Sequence, residues 1–464
     1  MIALVHYHLR RGGVARVMYA QARVLRDAGE AVCLLTGEPP PEPPPDGVPV
    51  YVIPGLGYRT DYSEVALAEL AGAMCAPFAE VPLWHIHNHS LGKNPVLTAL
   101  VRLWAGEGTA MVLQPHDFAE DGRPGNLRLL RETLPDFPRG LYPCGSRIRY
   151  AVLQKRDAEI LKGAGVPAGQ VQVLPNAVSG MTGLPPPANP PARVLYLSRS
   201  IRRKNIGELL LWAKVYGDDL AFATSLIPEN PAERPRFDRW RDFAVANCLP
   251  VTFGLGADPG KHFADVVAWG DVCISTSVGE GFGMSFLEPF LMGRGLVGRN
   301  LPAITAGFVA DGIQLPGLYD ALPVPVSALD SEFWARAVST VCRWRAAMGV
   351  DAVLTAADLR AAWVTDGMID FGRLDEAAQE AVLAQDVDVA LPAPRQPDSE
   401  ILAMNENVLA RDYSEAATLP RLQRLYAGVR EAPAADASGE RGSADALKVR
   451  DAFLDPCGLF LLRS

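Results

Sequence analysis

The chain has 464 residues, of which 49% are hydrophobic and 21% are charged, so it is long and apolar enough for two or three domains with full cores. This composition excludes an intrinsically disordered chain, and the net charge of −9 argues against nucleic acid as a general partner. No run reaches the roughly 18 apolar residues of a membrane-spanning helix, so we predict no integral membrane segment.

The chain start and the cysteines indicate a cellular compartment. Residues 1–8 contain neither the basic region nor the apolar region of a secretory signal. The seven cysteines are scattered, odd in number and without a Cys-x-x-Cys pair. Because reduced thiols in the cytoplasm are the simplest explanation of this pattern, we predict a cytoplasmic protein.

Short apolar runs alternate with helical patterns through the first part of the chain. The runs predicted to be strands are 2–7, 31–35, 48–53, 83–87, 110–113, 140–143 and 171–174. The stretches predicted to be helices are 14–28, 62–78, 94–105, 128–133 and 147–162. Such alternation is typical of a parallel sheet covered on both faces. We therefore predict an N-terminal Rossmann-like domain over residues 1–178.

Two features of this domain fall at the ends of predicted strands, where ligands of such sheets bind. Gly12 and Gly13 lie between the first strand and the first helix, a position that also suits an ordinary tight turn. They do not form a Gly-x-Gly-x-x-Gly sequence, so a nicotinamide cofactor is not indicated. His116 follows the fifth strand and is a candidate for contact with a ligand.

His85, His87 and His89 alternate along the fourth predicted strand and its end. Histidine is a common metal ligand, so a metal site is one interpretation. Alternation places the three side chains on one side only while the chain remains extended. We favour side chains that line a cleft or pack in the interior.

A second domain follows the Pro- and Gly-rich segment 179–192, which has the composition of a linker. The strands predicted after it are 193–198, 220–225, 251–254, 272–276 and 295–298. With helices between them, these strands make a second parallel sheet, and we assign this domain to residues 193–345. Two such domains joined by a linker form a cleft.

Glu280 and Glu288 are separated by seven residues, directly after the run 272–276. The glycines at 281 and 283 permit a strand-to-helix turn whose N–H groups approach a ligand, and the start of a helix favours a diphosphate. Two helical turns would separate the carboxylates by about 12 Å. One carboxylate can then bind hexose hydroxyls and the other a ribose diol, although a helix cap with a solvated glutamate has the same spacing.

The sequence Glu280-Gly-Phe-Gly283 followed by Glu288 resembles the signature of the retaining glycosyltransferases of family 4, which have the GT-B fold. Upstream, a strand that ends at Arg199 and is followed by Lys204 resembles the Gly-Arg and Lys-Asn pattern of that family, with Ser198 in place of the glycine. The resemblance covers roughly residues 1–310 and resumes near 405–426. It implies an α/β protein of GT-B architecture, with two doubly wound Rossmann-like domains facing each other across a cleft.

The resemblance also implies roles for residues of the second domain. Arg199 and Lys204 would bind the donor phosphates, and fixed cations there would stabilise the departing nucleoside diphosphate. A solvated basic turn is the alternative for this pair. Gly281, Phe282 and Gly283 would form the donor turn, while Glu280 would contact the hexose and Glu288 the ribose.

In the first domain, the resemblance implies that the backbone of Gly12 and Gly13 approaches the donor diphosphate or the acceptor. It also implies that His116 lies at the donor sugar, where a neutral imidazole can bind a hydroxyl without becoming a nucleophile. Family members generally need no divalent metal and show a similar His-x-His. We therefore expect no metal site and no cofactor other than the nucleotide sugar, which is a co-substrate.

The pattern departs from the family after residue 300. Residues 346–404 are an insertion of unassigned role, in which Asp386 and Asp388 match the Asp-x-Asp of metal-dependent transferases but are interpreted as a solvated pair. Residues 405–430 resemble the C-terminal helix that crosses back to the first domain. Residues 431–464 form a tail whose apolar end, 452–462, is expected to pack on its own domain, with a homodimer or partner contact as the alternative.

These observations predict a retaining, metal-independent hexosyltransferase that uses a nucleoside diphosphate sugar of the UDP-glucose or GDP-mannose type. The acceptor is expected to be a hydroxyl of a small soluble molecule or saccharide, because the acidic net charge disfavours a lipid surface. Two alternatives stay open, a GT-B sugar-nucleotide epimerase and a non-catalytic sugar-nucleotide-binding protein.

Overall fold

A computed structural model describes residues 1–181, 183–258, 260–350, 353–386, 388–433, 442–454 and 458–463. The predicted second domain, linker, insertion and tail therefore lie partly outside the described residues. The chain divides into two compact units. The first contains the described residues of 1–177, 346–350 and 412–454, and the second contains those of 178–345, 351–411 and 455–464.

The first unit is built on a parallel sheet of seven strands in the order β3-β2-β1-β4-β5-β6-β7. Its strands are β1 (Ile2–Val5), β2 (Val32–Thr36), β3 (Val50–Val52), β4 (Leu83–His87), β5 (Met111–Gln114), β6 (Ile148–Val152) and β7 (Val171–Val173). Side chains of the central strands are buried on both faces, as expected for a parallel sheet covered by helices.

The second unit contains a parallel sheet of six strands in the order β10-β9-β8-β11-β12-β13, and a three-stranded antiparallel sheet in the order β14-β16-β15. The strands are β8 (Arg193–Tyr196), β9 (Ala221–Thr224), β10 (Val251–Thr252), β11 (Val272–Ser275), β12 (Gly295–Arg299), β13 (Leu318–Tyr319), β14 (Pro323–Pro325), β15 (Val364–Thr365) and β16 (Met368–Asp370).

Helices lie between the strands over most of the chain, and the last helices follow one another. The helices are α1 (Gly13–Asp27), α2 (Glu64–Cys75), α3 (Pro95–Gly106), α4 (Pro124–Thr133), α5 (Lys155–Gly163), α6 (Ile206–Tyr216), α7 (Arg234–Ala246), α8 (Phe263–Trp269), α9 (Glu288–Leu291), α10 (Pro302–Asp311), α11 (Phe333–Ala347), α12 (Ala356–Trp363), α13 (Glu376–Leu383), α14 (Ser399–Asp412), α15 (Glu415–Arg430) and α16 (Ala446–Phe453). Short 3₁₀ turns relevant to the site are Arg202–Lys204, Met284–Phe286 and Leu461–Arg463.

Two predicted elements of the first unit are wrong. Residues 140–143 form no strand, because their one bridge joins Pro143 to Ser443 instead of a neighbouring parallel strand. Residues 148–152, predicted as the start of a helix, form β6 between β5 and β7. A short apolar run suits either element by its periodicity, so only its place between two strands decides the outcome.

The helix predicted at 405–430 is instead two helices, α14 and α15. The break falls at Ser414, whose hydroxyl accepts a hydrogen bond from the backbone N–H of Ala417 at 3.2 Å and so caps α15. Within the first unit, Leu422, Leu425 and Tyr426 of α15 join the apolar core formed by β1 and α1.

The segment predicted as an insertion is folded and belongs mainly to the second unit. Asp370 of β16 accepts hydrogen bonds from Arg299 of β12 at 2.7 and 2.8 Å, and Arg299 also pairs with Glu208 of α6 at 2.6 Å. The side chains of Arg299 and Glu208 are fully buried. A buried charge needs such paired partners, so this network attaches the segment to the main sheet.

None of the helices that the structure describes combines the length with the apolar character required to cross a bilayer.

Candidate functional site

Polar residues of the second unit meet where two neighbouring strands end. Strand β8 pairs with β11, so the segments that leave their carboxyl ends lie side by side. The first segment carries Arg199 and the turn Arg202–Lys204, and the second carries Glu280. Residues about 80 positions apart in the sequence are thereby brought together.

The turn Arg202–Lys204 is fixed by hydrogen bonds to its backbone carbonyls. The hydroxyl of Thr276 donates to the carbonyl oxygens of Lys204 and Asn205 at 2.9 and 3.0 Å. The hydroxyl of Tyr196 donates to the same Lys204 oxygen at 3.0 Å, and the N–H of Val278 donates to Arg203 at 2.9 Å. The backbone of this turn is therefore held in a defined position.

Glu280 accepts from two cations of this turn. The ammonium of Lys204 bonds to its Oε1, and the guanidinium of Arg203 bonds to its Oε2 at 3.0 Å. The side chains of Glu280 and Lys204 are only 9% and 12% exposed. Burial alone would raise the pKa of Glu280, but the charges and hydrogen bonds of Lys204 and Arg203 outweigh it and lower the pKa to about 2. Glu280 is therefore ionised at neutral pH.

Arg199 is the most exposed of the cations of this cluster, namely Arg199, Arg203 and Lys204. Its side chain is 48% exposed, and its nearest acidic contact is Glu229 at 3.7 Å, beyond hydrogen-bond distance for a firm pair. An incoming anion can reach Arg199 without displacing a buried partner. Lys204, in contrast, already neutralises Glu280.

Gly283 shapes the loop after Glu280. Its φ of +90° lies in the region that favours glycine, and an added Cβ would come within 2.7 Å of Ile304 and 2.9 Å of Phe286. Glycine is therefore required at this position, as the sequence indicated, because a larger residue would clash. Phe282 is buried and packs edge-on against Phe308, with ring centroids 5.5 Å apart.

The predicted helix that placed Glu288 two turns beyond Glu280 is wrong. The chain forms the 3₁₀ turn Met284–Phe286 and then the four-residue helix α9, of which Glu288 is the first residue. Pro289 explains part of this break, since it has no N–H to continue a helix from the preceding turn. Glu288 is half-buried at the start of α9.

In the first unit, the ends of β4 and β5 place two histidines in contact. Nδ1 of His87 lies 2.8 Å from Nε2 of His116, and the two rings stack with centroids 5.1 Å apart. The side-chain oxygen of Asn88 accepts from the backbone N–H of His116 at 2.7 Å. Burial, together with the charges of His6 and His85, lowers the pKa of His116 to about 3. The imidazole is therefore neutral at physiological pH.

The other histidines of β4 have protein partners. His85 is buried, with Nδ1 2.8 Å from the hydroxyl of Tyr426 and Nε2 2.9 Å from the side-chain oxygen of Gln114. Nε2 of His89 lies 2.9 Å from the carbonyl of Leu141. Asn88 has a φ of +58° and ends the extended strand, so His89 does not continue the row. Within the described ranges, no three His, Cys, Asp or Glu side chains are grouped closely enough to hold a metal ion.

Comparison with known proteins identifies the first unit. Residues 12–177 match the family profile of the glycosyl transferase 4-like domain. The mannosylglucosyl-3-phosphoglycerate synthase of Petrotoga mobilis is 28% identical over 337 aligned residues, and the alignment covers 65% of this chain and 65% of the length of that relative.

Solved structures show that the two sheets form the GT-B fold. The sucrose-phosphate synthase of Thermosynechococcus elongatus matches with a TM-score of 0.55 at 16% identity, over 93% of this chain and 99% of that one. HepE of Anabaena, in complex with UDP and glucose, matches with a TM-score of 0.53 at 12% identity. The match covers 91% of this chain and 98% of the HepE chain. The predicted fold and the predicted resemblance to family 4 are confirmed.

Gly12, the first residue of the glycosyl transferase 4-like domain, immediately precedes α1. Its φ of 170° is extended backbone, and an added Cβ would meet only the carbonyl oxygen of Arg10 at 3.8 Å. The conformation of Gly12 therefore does not itself require glycine. The approach of a ligand to Gly12 and Gly13 remains a prediction.

Sequence reasoning missed several residues beside Lys204 and Glu280. Arg203 is one of them, and its position next to Lys204 was a usable signal. The hydroxyl oxygens of Ser198 and Ser285 are buried and make no hydrogen bond among the described residues. Buried hydroxyls usually have partners, so these two are candidates for ligand contact.

The apolar end of the tail also reaches this loop. A Cβ on Gly279 would lie 2.6 Å from Nε of Arg463, so the two residues are in close contact. Arg373 donates to the carbonyl of Leu459 at 3.0 Å and lies over the ring of Phe460. Described residues 458–463 of the tail thus pack within the second unit, whereas residues 442–454 belong to the first unit. Asp386 and Asp388 are exposed.

Proposed function

We propose that this protein is a retaining glycosyltransferase that moves a hexose from a nucleoside diphosphate sugar to a hydroxyl of a small soluble acceptor. The observation that carries the proposal is the cluster of Arg199, Arg203, Lys204 and Glu280 at neighbouring strand ends of a GT-B fold. A cluster with three cations and one ionised carboxylate has net positive charge and suits a diphosphate attached to a sugar.

Within this proposal, Arg199 and Lys204 bind the diphosphate, together with the backbone N–H groups of the turn at residues 281–283. Glu280 binds hydroxyls of the hexose. Its two cationic partners hold its carboxylate in place, so that hydroxyl groups meet a preorganised acceptor. Glu288, at the start of α9, binds the ribose diol.

Within this proposal, the first unit has ligand-binding groups of its own. Since Nε2 of His116 is engaged by His87, its Nδ1 is the ring atom left for a sugar hydroxyl, and Nδ1 makes no hydrogen bond among the described residues. Gly12 and Gly13 allow a close backbone approach at the start of α1.

The chemistry is a front-face substitution. The bond between the anomeric carbon and the diphosphate oxygen breaks, the acceptor oxygen bonds to that carbon on the same face, and the acceptor proton passes to the departing diphosphate. Glu280 is unsuited to act as a covalent nucleophile, because its charge is already stabilised by Lys204 and Arg203. The protein supplies positioning and electrostatic stabilisation.

A UDP-glucose or GDP-mannose type of donor is proposed. The relative from Petrotoga mobilis is named for making mannosylglucosyl-3-phosphoglycerate, a small soluble compound, which supports a small acceptor here. HepE, a protein of the same fold, binds UDP and glucose in its solved structure.

A panel of nucleoside diphosphate sugars tests this function. Thermal shift first selects the donor, because a tight ligand stabilises the folded protein by mass action. Incubation of that donor with and without hydroxyl acceptors then shows whether a glycoside with retained configuration forms. Release of an altered sugar without acceptor would support the epimerase, and binding without turnover would support the non-catalytic alternative.

We expect transfer to survive chelation of divalent metals. The proposed charge stabilisation comes from Arg199, Arg203 and Lys204, and the exposed pair Asp386 and Asp388 lies on another part of the chain. Initial rates with and without EDTA, measured in metal-free buffer, provide the check. Loss of activity that Mn²⁺ or Mg²⁺ restores would contradict metal independence.

A further inference from the structure

Lys93, in the first unit, is a half-buried lysine without an acidic partner. No carboxylate of the described residues lies within 4 Å of its ammonium, which lies over the ring of Tyr58 with 5.3 Å between Nζ and the ring centroid. Burial and the nearby charge of Arg123 both lower the pKa of Lys93. A partly desolvated ammonium beside a second cation is unfavourable unless an anion binds there.

The backbone around Lys93 is fixed on the side of α4. Gly92 has a φ of +74°, and an added Cβ would lie 2.5 Å from the carbonyl oxygen of Asn126. The side chain of Asn126 donates to the carbonyl of Leu91 at 2.8 Å. Only glycine permits this close approach, which brings Lys93 towards the start of α4, where Arg123 is the residue before the helix.

The loop that carries Tyr58 is fixed to the backbone on the other side of Lys93. Asn94 donates to the carbonyls of Gly55 and Gly57, each at 2.8 Å, and the N–H of Arg59 donates to the carbonyl of Lys93 at 3.0 Å. Lys93 and Tyr58 therefore keep their relative positions without a ligand. A preorganised group loses little conformational freedom on binding.

The polar groups around Lys93 leave a net positive charge. The hydroxyl of Tyr58 lies 2.9 Å from Nε2 of His8, and Arg123 pairs with Asp117 at 2.8 Å. The other carboxylate nearby, that of Glu38, pairs with Arg10. Each acidic group thus has its own arginine, so the charge of Lys93 is not balanced. We call His8, Tyr58, Lys93 and Arg123 the Lys93 patch.

The Lys93 patch adjoins the proposed sugar-binding histidine. Asp117, the partner of Arg123, directly follows His116, and the N–H groups of both residues donate to the side chain of Asn88. A small molecule bound at the patch could therefore direct a hydroxyl towards His116.

We propose that the Lys93 patch binds a carboxylate or phosphate group of the acceptor, with Lys93 as the principal charge and Tyr58 and His8 as orienting hydrogen-bond partners. This inference rests on the proposed function and specifies its acceptor as an anionic hydroxyl compound. It agrees with the name of the relative from Petrotoga mobilis, whose product contains phosphoglycerate.

Calorimetry on the full chain tests this inference, with saturating nucleoside diphosphate present so that the donor site is occupied. The probes are 3-phosphoglycerate, D-glycerate, inorganic phosphate and the uncharged control glycerol. We expect one or more of the anions to bind and glycerol not to bind. Lys93→Met should weaken anion binding by about tenfold to a hundredfold, the usual effect of losing a charged hydrogen bond.

The matched control is Lys448→Met, which removes an exposed lysine of α16 in the same unit and should leave anion binding unchanged. Thermal unfolding without ligand should be unchanged or shifted upward in Lys93→Met, because an unbalanced charge is removed, whereas a structural role would lower it. Binding of inorganic phosphate would identify a phosphate site. Binding of D-glycerate by a protein that does not bind inorganic phosphate would identify a carboxylate site.

Equal anion affinity in wild type and Lys93→Met would overturn the proposal, as would wild-type protein that binds none of the three anions or binds glycerol equally well. Nucleoside diphosphate binding is measured separately on the same samples. Wild-type protein that binds no nucleoside diphosphate would contradict the proposed function. Wild-type protein that binds the nucleoside diphosphate but none of the anions would contradict only the proposal for the Lys93 patch.

Discussion

Glu280→Ala is expected to reduce transfer to background and to destabilise the second unit by about 3–5 kcal/mol, the usual cost of leaving one partner of a buried ion pair uncompensated. The ammonium of Lys204 is only 12% exposed and would lose its carboxylate. The measurements are initial rates of transfer and urea unfolding monitored by tryptophan fluorescence.

A double variant tests the structural role of Glu280. Glu280→Ala combined with Lys204→Met removes both charges, so most of the lost stability should return, while transfer stays absent because the proposed phosphate ligand Lys204 is also missing. Recovery of transfer together with stability would show that Glu280 acts only as a structural partner. Intact transfer in a stable Glu280→Ala protein would refute its contact with the hexose.

The same ion pair predicts a pH dependence of stability. The pKa of Glu280 is lowered to about 2 in the folded protein, below its ordinary value of 4.5. A lowered carboxyl pKa means that the stabilisation is complete above about pH 4.5 and disappears as the pH falls towards 2. Wild-type protein should therefore lose more stability between these pH values than the double variant does.

Arg199→Ala is expected to weaken nucleoside diphosphate binding by about tenfold to a hundredfold and to slow transfer, with no loss of stability. Its side chain is 48% exposed and has no firm ion pair, so its removal leaves no buried charge behind. Calorimetry with the nucleoside diphosphate measures the first effect, and thermal unfolding measures the second.

Arg241→Ala is the matched control, since Arg241 lies on α7 of the same unit and is 46% exposed. Lys204→Ala should also weaken nucleoside diphosphate binding. Because it removes the partner of Glu280, it should lower the stability of the protein as well. Unchanged affinity in both Arg199→Ala and Lys204→Ala would exclude this cluster as the diphosphate site.

Local patterns in the sequence were enough to predict much of the architecture. Parallel strands buried on both faces appear as apolar runs, and the helices between them appear as amphipathic stretches, so the alternation indicated two parallel sheets. Gly283 was predictable as well, because few other residues accept its backbone conformation. The motif around Glu280 supplied the resemblance to family 4, and the family comparison matched the glycosyl transferase 4-like domain over residues 12–177 of the first unit.

The tertiary structure decided the features that depend on distant neighbours. Periodicity could not show that residues 148–152 insert between two strands, nor that the chain breaks before Glu288. Both outcomes depend on packing or steric limits that act beyond the local pattern.

For the charged residues too, the sequence determined one part and the tertiary structure another. The sequence by itself determined which ionisable groups stand at strand ends: Arg199 and Lys204 after one strand, Glu280 after another. Only the fold decided that Lys204 is joined to Glu280, that Arg199 stays accessible and that no carboxylate of the described residues pairs with Lys93. The reason is physical, since the state of a charge depends on burial and on neighbours a few ångströms away, and these come from remote parts of the chain.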